Sequence, residues 1–312
     1  SAPSRPTPSR SWRTERKKRL DFRPKYRHYS CITFRKRGFF YERRQLWFSQ
    51  SRSCLRRRPF LPRGRDHPYG RLHAERGRQG PELAQLLEDC GVDLRYLGRT
   101  ETPQGHAIIQ VQPDGQNCIF LYGGSNQAVT PEDIDAVLSH FAPGDYLLMQ
   151  NELSNFTYLL RAAVGRGLRV VLNASPISEE VLAADLTGVD WLVVNEIECA
   201  AIAGCSTPEE GYAALRARYP GLGILLTLGS EGSVSWKDGV EIRQCAYPVQ
   251  AVDTTGAGDT FMGYFVGCLA QGMERKDAMQ YAAMAASIAV TRPGAAPSIP
   301  MMAEVRAAVE AL

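Results

Sequence analysis

Between residues 145 and 227 the chain repeats one arrangement, a short apolar run followed by a longer segment with helical spacing. The runs are Asp145-Tyr-Leu-Leu-Met149, Arg169-Val-Val-Leu172, Trp191-Leu-Val-Val194 and Gly223-Ile-Leu-Leu-Thr227. Helices are expected between them over 154–166, 178–185 and 208–218, and another opens at Pro131-Glu-Asp-Ile-Asp135. Strands alternating with helices pair side by side as a parallel sheet with helices on both faces. The expected class is therefore α/β, doubly wound and mostly parallel. At 312 residues and 44% hydrophobic content, the chain can bury one large core.

In such sheets ligands collect beyond the carboxyl ends of the strands. One stretch is built for that place, Ala251-Val-Asp-Thr-Thr-Gly-Ala-Gly-Asp-Thr-Phe261. Gly256 and Gly258, with only Ala257 between them, allow a tight turn that brings successive N–H groups near an anion. Apolar residues at helical spacing follow, Phe261, Phe265 and Leu269, so those N–H groups start a helix, where partial positive charge favours phosphate. Asp259 sits at the mouth of the same turn, and a carboxylate beside a phosphate cradle suggests a base. The plainer alternative is that Asp253, Thr254 or Thr255 caps the helix and Asp259 favours its first turn. No Gly-x4-Gly-Lys-Ser/Thr occurs, and Gly256-x-Gly258 lacks the third glycine of a dinucleotide fingerprint.

Three further groups stand in order along the chain. Asn195 and Glu198 lie where a strand gives way to a helix, an N-cap with a supporting glutamate when taken alone. Thr227-Leu-Gly-Ser-Glu-Gly232 is a glycine loop after the last apolar run, weak in isolation. Glu152 follows the first run, placed either to cap a helix or to accept hydrogen bonds from hydroxyl groups. After the helix begun at Ala257, a helix over 274–290 carries the small residues Ala282-Ala-Met-Ala-Ala286, suited to close packing.

The 251–261 stretch resembles the second signature of the PfkB carbohydrate kinases, with the ribokinase branch the nearest match. Asn195-Glu-Ile-Glu198 is similar to that family's Asn-x-x-Glu. Thr227, Leu228, Gly229, Ser230, Glu231 and Gly232 resemble its nucleotide loop, and Val290-Thr-Arg-Pro-Gly-Ala-Ala-Pro-Ser298 its cation loop. The resemblance covers the chain from about Pro81 onward. It implies ATP-dependent phosphorylation of a sugar's primary hydroxyl, ribose in view of the branch, with Asp259 as base, Gly256, Ala257 and Gly258 among the catalytic residues, and the N–H groups of Ala257, Gly258 and Asp259 stabilising the transferred group. It further implies Glu152 as a sugar ligand and Asn195 with the 227–232 loop as ATP ligands. Glu198 would act on Mg2+ through water, and Asp253, Thr255, Ala289, Arg292, Gly294 and Ser298 would surround K+. A homodimer joined through lid strands is implied as well, and a cytoplasmic location is expected from the lack of an apolar span or signal pattern. The alternatives are another sugar or nucleoside kinase, or a nucleotide-binding protein without turnover.

Lid structure is expected around 94–123. Leu94-Arg-Tyr-Leu97 reads as the start of an extended segment, and Ala107-Ile-Ile-Gln-Val111, Pro113-Asp-Gly115 and Cys118-Ile-Phe-Leu-Tyr122 as a hairpin. Before it, Leu83, Leu86, Leu87 and Val92 form a helical stripe.

Residues 1–78 are of another kind. They hold 24 of the 37 Lys and Arg and five acids, a net +19, whereas residues 79–312 carry −15. The resembling family uses this region for its first strands, part of the lid and a Gly-Gly sugar motif, of which the residues here show nothing. The first reading is therefore a misassigned or frame-shifted stretch. Were Arg43-Arg44-Gln45 encoded CGG-CGG-CAA, reading one base later would give Gly-Gly-Asn. A disordered basic arm ranks second and a nucleic-acid domain last. No apolar run reaches the roughly 18 residues that cross a bilayer, and Ser1 begins no signal-peptide pattern. The eight cysteines are scattered, without a C-x-x-C pair, and read as reduced thiols.

Overall fold

The computed structural model describes residues 22–25, 32–34, 84–85, 87–90, 92–98, 102–103, 105–111 and 117–312. Most of the 1–78 segment, and with it the expected Gly-Gly position at 43–45, lies outside the described residues. Strands β1 (Phe22–Lys25), β3 (His106–Val111) and β4 (Asn117–Tyr122) form an antiparallel sheet in the order β1-β3-β4. Strand β2 (Ile32–Phe34) instead joins the edge of the larger sheet.

Among the described residues that larger sheet has seven strands. Its centre is β5 (Tyr146–Gln150), β6 (Arg169–Asn173), β7 (Trp191–Asn195) and β8 (Gly223–Thr227), all parallel. Strands β9 (Ser233–Lys237) and β10 (Val240–Gln244) extend it antiparallel beyond β8, and β2 pairs antiparallel with β5 at the other side.

Side chains along the central strands point by turns to two cores, as the period of two requires. Leu147, Met149, Val170, Leu172, Leu192, Val194, Ile224 and Leu226 meet one group of helices. These are α1 (Pro131–Leu138), α2 (Phe156–Gly165), α3 (Glu179–Leu182), α4 (Glu196–Ala203) and α5 (Pro208–Arg218). Tyr146, Leu148, Val171, Trp191, Val193 and Leu225 face the opposite way, onto α6 (Ala257–Ala270), α7 (Arg275–Val290) and α8 (Met302–Glu310). Both faces are covered, so the sheet is doubly wound. Each buried aliphatic or aromatic side chain contributes about 1.5–3 kcal/mol on leaving water. Trp191 meets Phe265 edge-on, with ring centroids 5.0 Å apart.

Local chemistry sets the helix starts. Thr130 accepts from the Asp133 N–H while Asp133 accepts from the Thr130 N–H, and Pro131 follows as the first helical residue. Thr207, followed by Pro208, caps α5 through the Glu210 N–H.

Two expectations need correction. Residues Leu94–Leu97 do not begin a strand; the Leu97 N–H closes a turn on the Leu94 carbonyl, and Tyr96 stacks on His140 with centroids 4.6 Å apart. The stacking and the turn bond together outweigh the extended propensity of four residues. The expected helix over 178–185 is only Glu179–Leu182. The β9–β10 hairpin is an addition. Its buried strand positions include Ser233 and Ser235, at 2% and 0% exposure, which breaks the apolar pattern that marks a strand. A signal was present in Asp238-Gly239, with φ of +51° and +80°, the pair that a two-residue hairpin turn demands.

Candidate active site

The end of β5 meets the start of α6 through Gln150 and Asp259, and β7 and β8, parallel to β5, end at the same edge of the sheet. Gly256, the residue before that helix, has φ +76°, a left-handed conformation that side chains disfavour. Asp259 is the third helical residue and is half-buried. Among the described residues no side chain caps this helix start. The Thr260 N–H makes the first intrahelical bond, 2.8 Å to the Gly256 carbonyl, and the Ala257 N–H turns back to Thr254 at 3.3 Å. The N–H groups of Gly258 and Asp259, by their position at the start of the helix, lack intrahelical acceptors and are presented to an incoming anion. The Ala257 N–H, whose bond to Thr254 is long, stands beside them at the same turn.

Behind the turn lies a small crosslink. Asp253 accepts from the Thr255 N–H at 3.0 Å through Oδ1 and from the Gly294 N–H at 3.1 Å through Oδ2. The Val252 and Asp253 N–H groups both reach the Val290 carbonyl, at 2.8 and 3.1 Å. These bonds join the 251–259 turn to the loop after α7. That loop is fastened in turn by the Arg292–Glu304 ion pair to α8, and by fully buried Ser298, whose hydroxyl donates to the Ala295 carbonyl at 2.6 Å. The Ala289 carbonyl already accepts from the Arg292 N–H at 3.1 Å. The cluster is rich in oxygen, the donor type that hard cations take.

On the neighbouring strands Asn195 and Thr227 are register partners. Asn195 and Glu198 form a reciprocal cap, with the Glu198 N–H on Asn195 Oδ1 and the Asn195 N–H on Glu198 Oε2, both at 2.9 Å. The capping alternative is therefore present in the structure. It engages one oxygen of each side chain and leaves Glu198 Oε1 and the Asn195 amide N–H2 for other contacts. Thr227 donates to the Val194 carbonyl at 3.3 Å, and a short 3-10 turn over Gly229–Glu231 follows. Gly229, Ser230 and Glu231 are exposed, and Gly232 has φ +104°. A Cβ on Gly232 would stand 2.0 Å from the Gln244 carbonyl oxygen, so the loop lies directly against β10.

At the end of β5 the neighbours have different duties. Asn151 donates to the Pro176 carbonyl and to Ser178 Oγ, at 2.6 and 2.8 Å, and so ties two loops together. Glu152 is half-buried, and its carbonyl accepts from Gln127 at 2.9 Å. The Ser154 N–H reaches the Asn126 carbonyl at 2.9 Å, which brings the segment after β4 onto the same rim. Gln150 is the residue that sequence reasoning passed over. Its Nε2 donates to Asp259 Oδ1 at 3.2 Å across 109 positions of chain. A polar residue closing the otherwise apolar β5 was the only signal for it.

Strand ends that meet a helix start bearing a carboxylate and outward N–H groups define a class, the α/β enzymes that handle a phosphate. Comparison narrows the class. Residues 77–302 match the model of the pfkB family carbohydrate kinase. Ribokinase from Arabidopsis thaliana is 34% identical over 233 residues, a match spanning 71% of this chain and 62% of that protein. Deoxyribokinase from Salmonella typhi is 30% identical over 69% of this chain and 72% of its own length. Arabidopsis thaliana ribokinase complexed with ribose and ATP superposes with a TM-score of 0.63 at 30% identity, covering 74% of this chain and 78% of that one. The chain belongs to the pfkB family of carbohydrate kinases, phosphotransferases with an alcohol group as acceptor.

Proposed function

We propose that this protein transfers the γ-phosphoryl group of ATP to the primary hydroxyl of D-ribose, forming ribose 5-phosphate. The observation that carries the reading is Asp259, a carboxylate held at the anion-accepting start of α6 and touched from the end of β5. Asp259 takes the hydroxyl proton as attack begins, and the Gly258 and Asp259 N–H groups stabilise charge developing on the transferred group. Glu152 accepts from sugar hydroxyls. Asn195 and the exposed 227–232 loop hold the nucleotide.

The residues present fit both expected metals. Glu198 keeps Oε1 clear of its cap and can orient the water shell of Mg2+, which when bound neutralises phosphate charge. The Asp253, Thr255, Ala289, Arg292, Gly294 and Ser298 cluster is crosslinked and rich in carbonyl oxygens, as a site for K+ requires. A homodimer through the β1-β3-β4 sheet and a cytoplasmic location complete the proposal. Among the described residues no helix is long and apolar enough to cross a membrane. The division of the chain near residue 78, with a frame-shifted stretch before it, is supported by a family match that starts at residue 77.

The test is release of ADP with ribose, 2-deoxyribose, fructose and a nucleoside as acceptors. Ribose is expected to react fastest. A faster reaction with 2-deoxyribose, the acceptor that the Salmonella relative's name suggests, would reassign the substrate within the family.

A further inference from the structure

Gln150 stands in an unusual position for an amide. The four residues before it in β5 are apolar and at most 1% exposed, and Gln150 itself is 3% exposed. Its Nε2 donates to Asp259 Oδ1, while its Oε1 is buried and among the described residues accepts no hydrogen bond. The amide cannot be turned round without cost, because its oxygen would then face a carboxylate oxygen. A glutamine retained only for packing would have both ends satisfied or would be replaced by an apolar residue of its size. Here one end grips the base and the other is buried with no partner among the described residues. The residue after the base, Thr260, has a buried hydroxyl oxygen that among the described residues likewise lacks a partner.

We propose that Gln150 is a positioning residue for Asp259 that also reads the acceptor sugar. Its N–H2 group holds Oδ1, so that Oδ2 is turned toward the hydroxyl that loses its proton. Its Oε1 accepts a hydrogen bond from a second hydroxyl of the same sugar, which sets the distance between the reacting oxygen and the base. No covalent step is added to the reaction. This rests on the kinase reading above for the identity of the ligand, while the contact with Asp259 stands independently of it.

The experiment compares wild type with Q150M, which keeps the length of the side chain and loses both polar ends, and with Q150E, which keeps the shape and loses the donor at neutral pH. In Q150M, kcat is expected to fall about 10- to 100-fold through misplacement of the base. The KM for the sugar should rise about 3- to 10-fold, and the KM for ATP should stay unchanged. A side chain that merely filled space would leave kcat alone, and an unchanged kcat in folded Q150M overturns the proposal. If Q150M does not fold, Q150E carries the same comparison. If wild type phosphorylates no sugar at all, the kinase reading fails, and Gln150 is judged by the Asp259 13Cγ resonance, assigned by its loss in D259N. That resonance is expected to move in Q150M. An unmoved resonance overturns the positioning role.

Discussion

Under the proposed function Asp259 combines two demands, helix-start geometry and proton transfer, and the two separate on substitution. Asp259→Asn keeps the side-chain volume and the backbone N–H groups, so nucleotide binding measured by calorimetry should persist. Turnover should fall about 100- to 10,000-fold, the usual effect of losing a positioned base. A second prediction concerns thiols. Burial pushes Cys199 up to about 11, with Cys205 and Glu209 adding to it, and burial alone pushes Cys268 up to about 12. Both therefore stay protonated near neutrality, and both are sterically closed. Cys245 is exposed. Peptide mapping after brief alkylation of the native protein should find Cys245 modified and Cys199 and Cys268 intact, with the latter two reacting only on unfolding.

Elements meet closely where side chains are absent. Gly211 lies inside α5, where glycine is about 1 kcal/mol worse than alanine on propensity alone. A Cβ there would sit 2.8 Å from the Cys199 carbonyl oxygen and 2.9 Å from Ala200 Cα, both backbone atoms of α4. Backbone cannot yield as a flexible side chain can, so the clash wins. Gly211→Ala is expected to lower stability by about 1–3 kcal/mol, read as a lower midpoint in urea. A raised midpoint would mean that α4 and α5 stand further apart. Asn195→Ala tests the α4 cap and the proposed nucleotide contact together. Stability should drop by about 1 kcal/mol, and the KM for ATP should rise as well. A stability loss alone would assign Asn195 to the cap only.

Across the whole molecule, the crosslink from Asp253 to Gly294 couples the phosphate-facing turn to the far loop and to α8. Binding of a monovalent ion there would order the turn, so activity should be higher in potassium than in sodium or a bulky organic cation at matched ionic strength. Equal rates in the three salts would remove the ion from the scheme. The coding DNA of the first quarter provides another check. Read one base later across residues 43–45, it should give Gly-Gly-Asn; a sequence that gives anything else there would return residues 1–78 to a basic arm.

The order of strands and helices was legible because buried strands and amphipathic helices each impose their own period on a linear chain. Local rules also sufficed for the cap at Asn195, for the glycines of the turn at 256–258 and for Asp259 as the carboxylate at a helix start. The 94–97 turn was misjudged because its stacking partner, His140, lies more than 40 positions away. Ser233 and Ser235 hid β9 because polar side chains in a sheet core look like loop residues until their neighbours are known. Pairing of Gln150 with Asp259, and of Asp253 with Gly294, arises only when β5, α6 and the loop after α7 are packed at one end of the sheet. Secondary structure follows from interactions a few residues apart, whereas which side chain reaches the carboxylate of Asp259 depends on strand order and on the register in which distant segments meet.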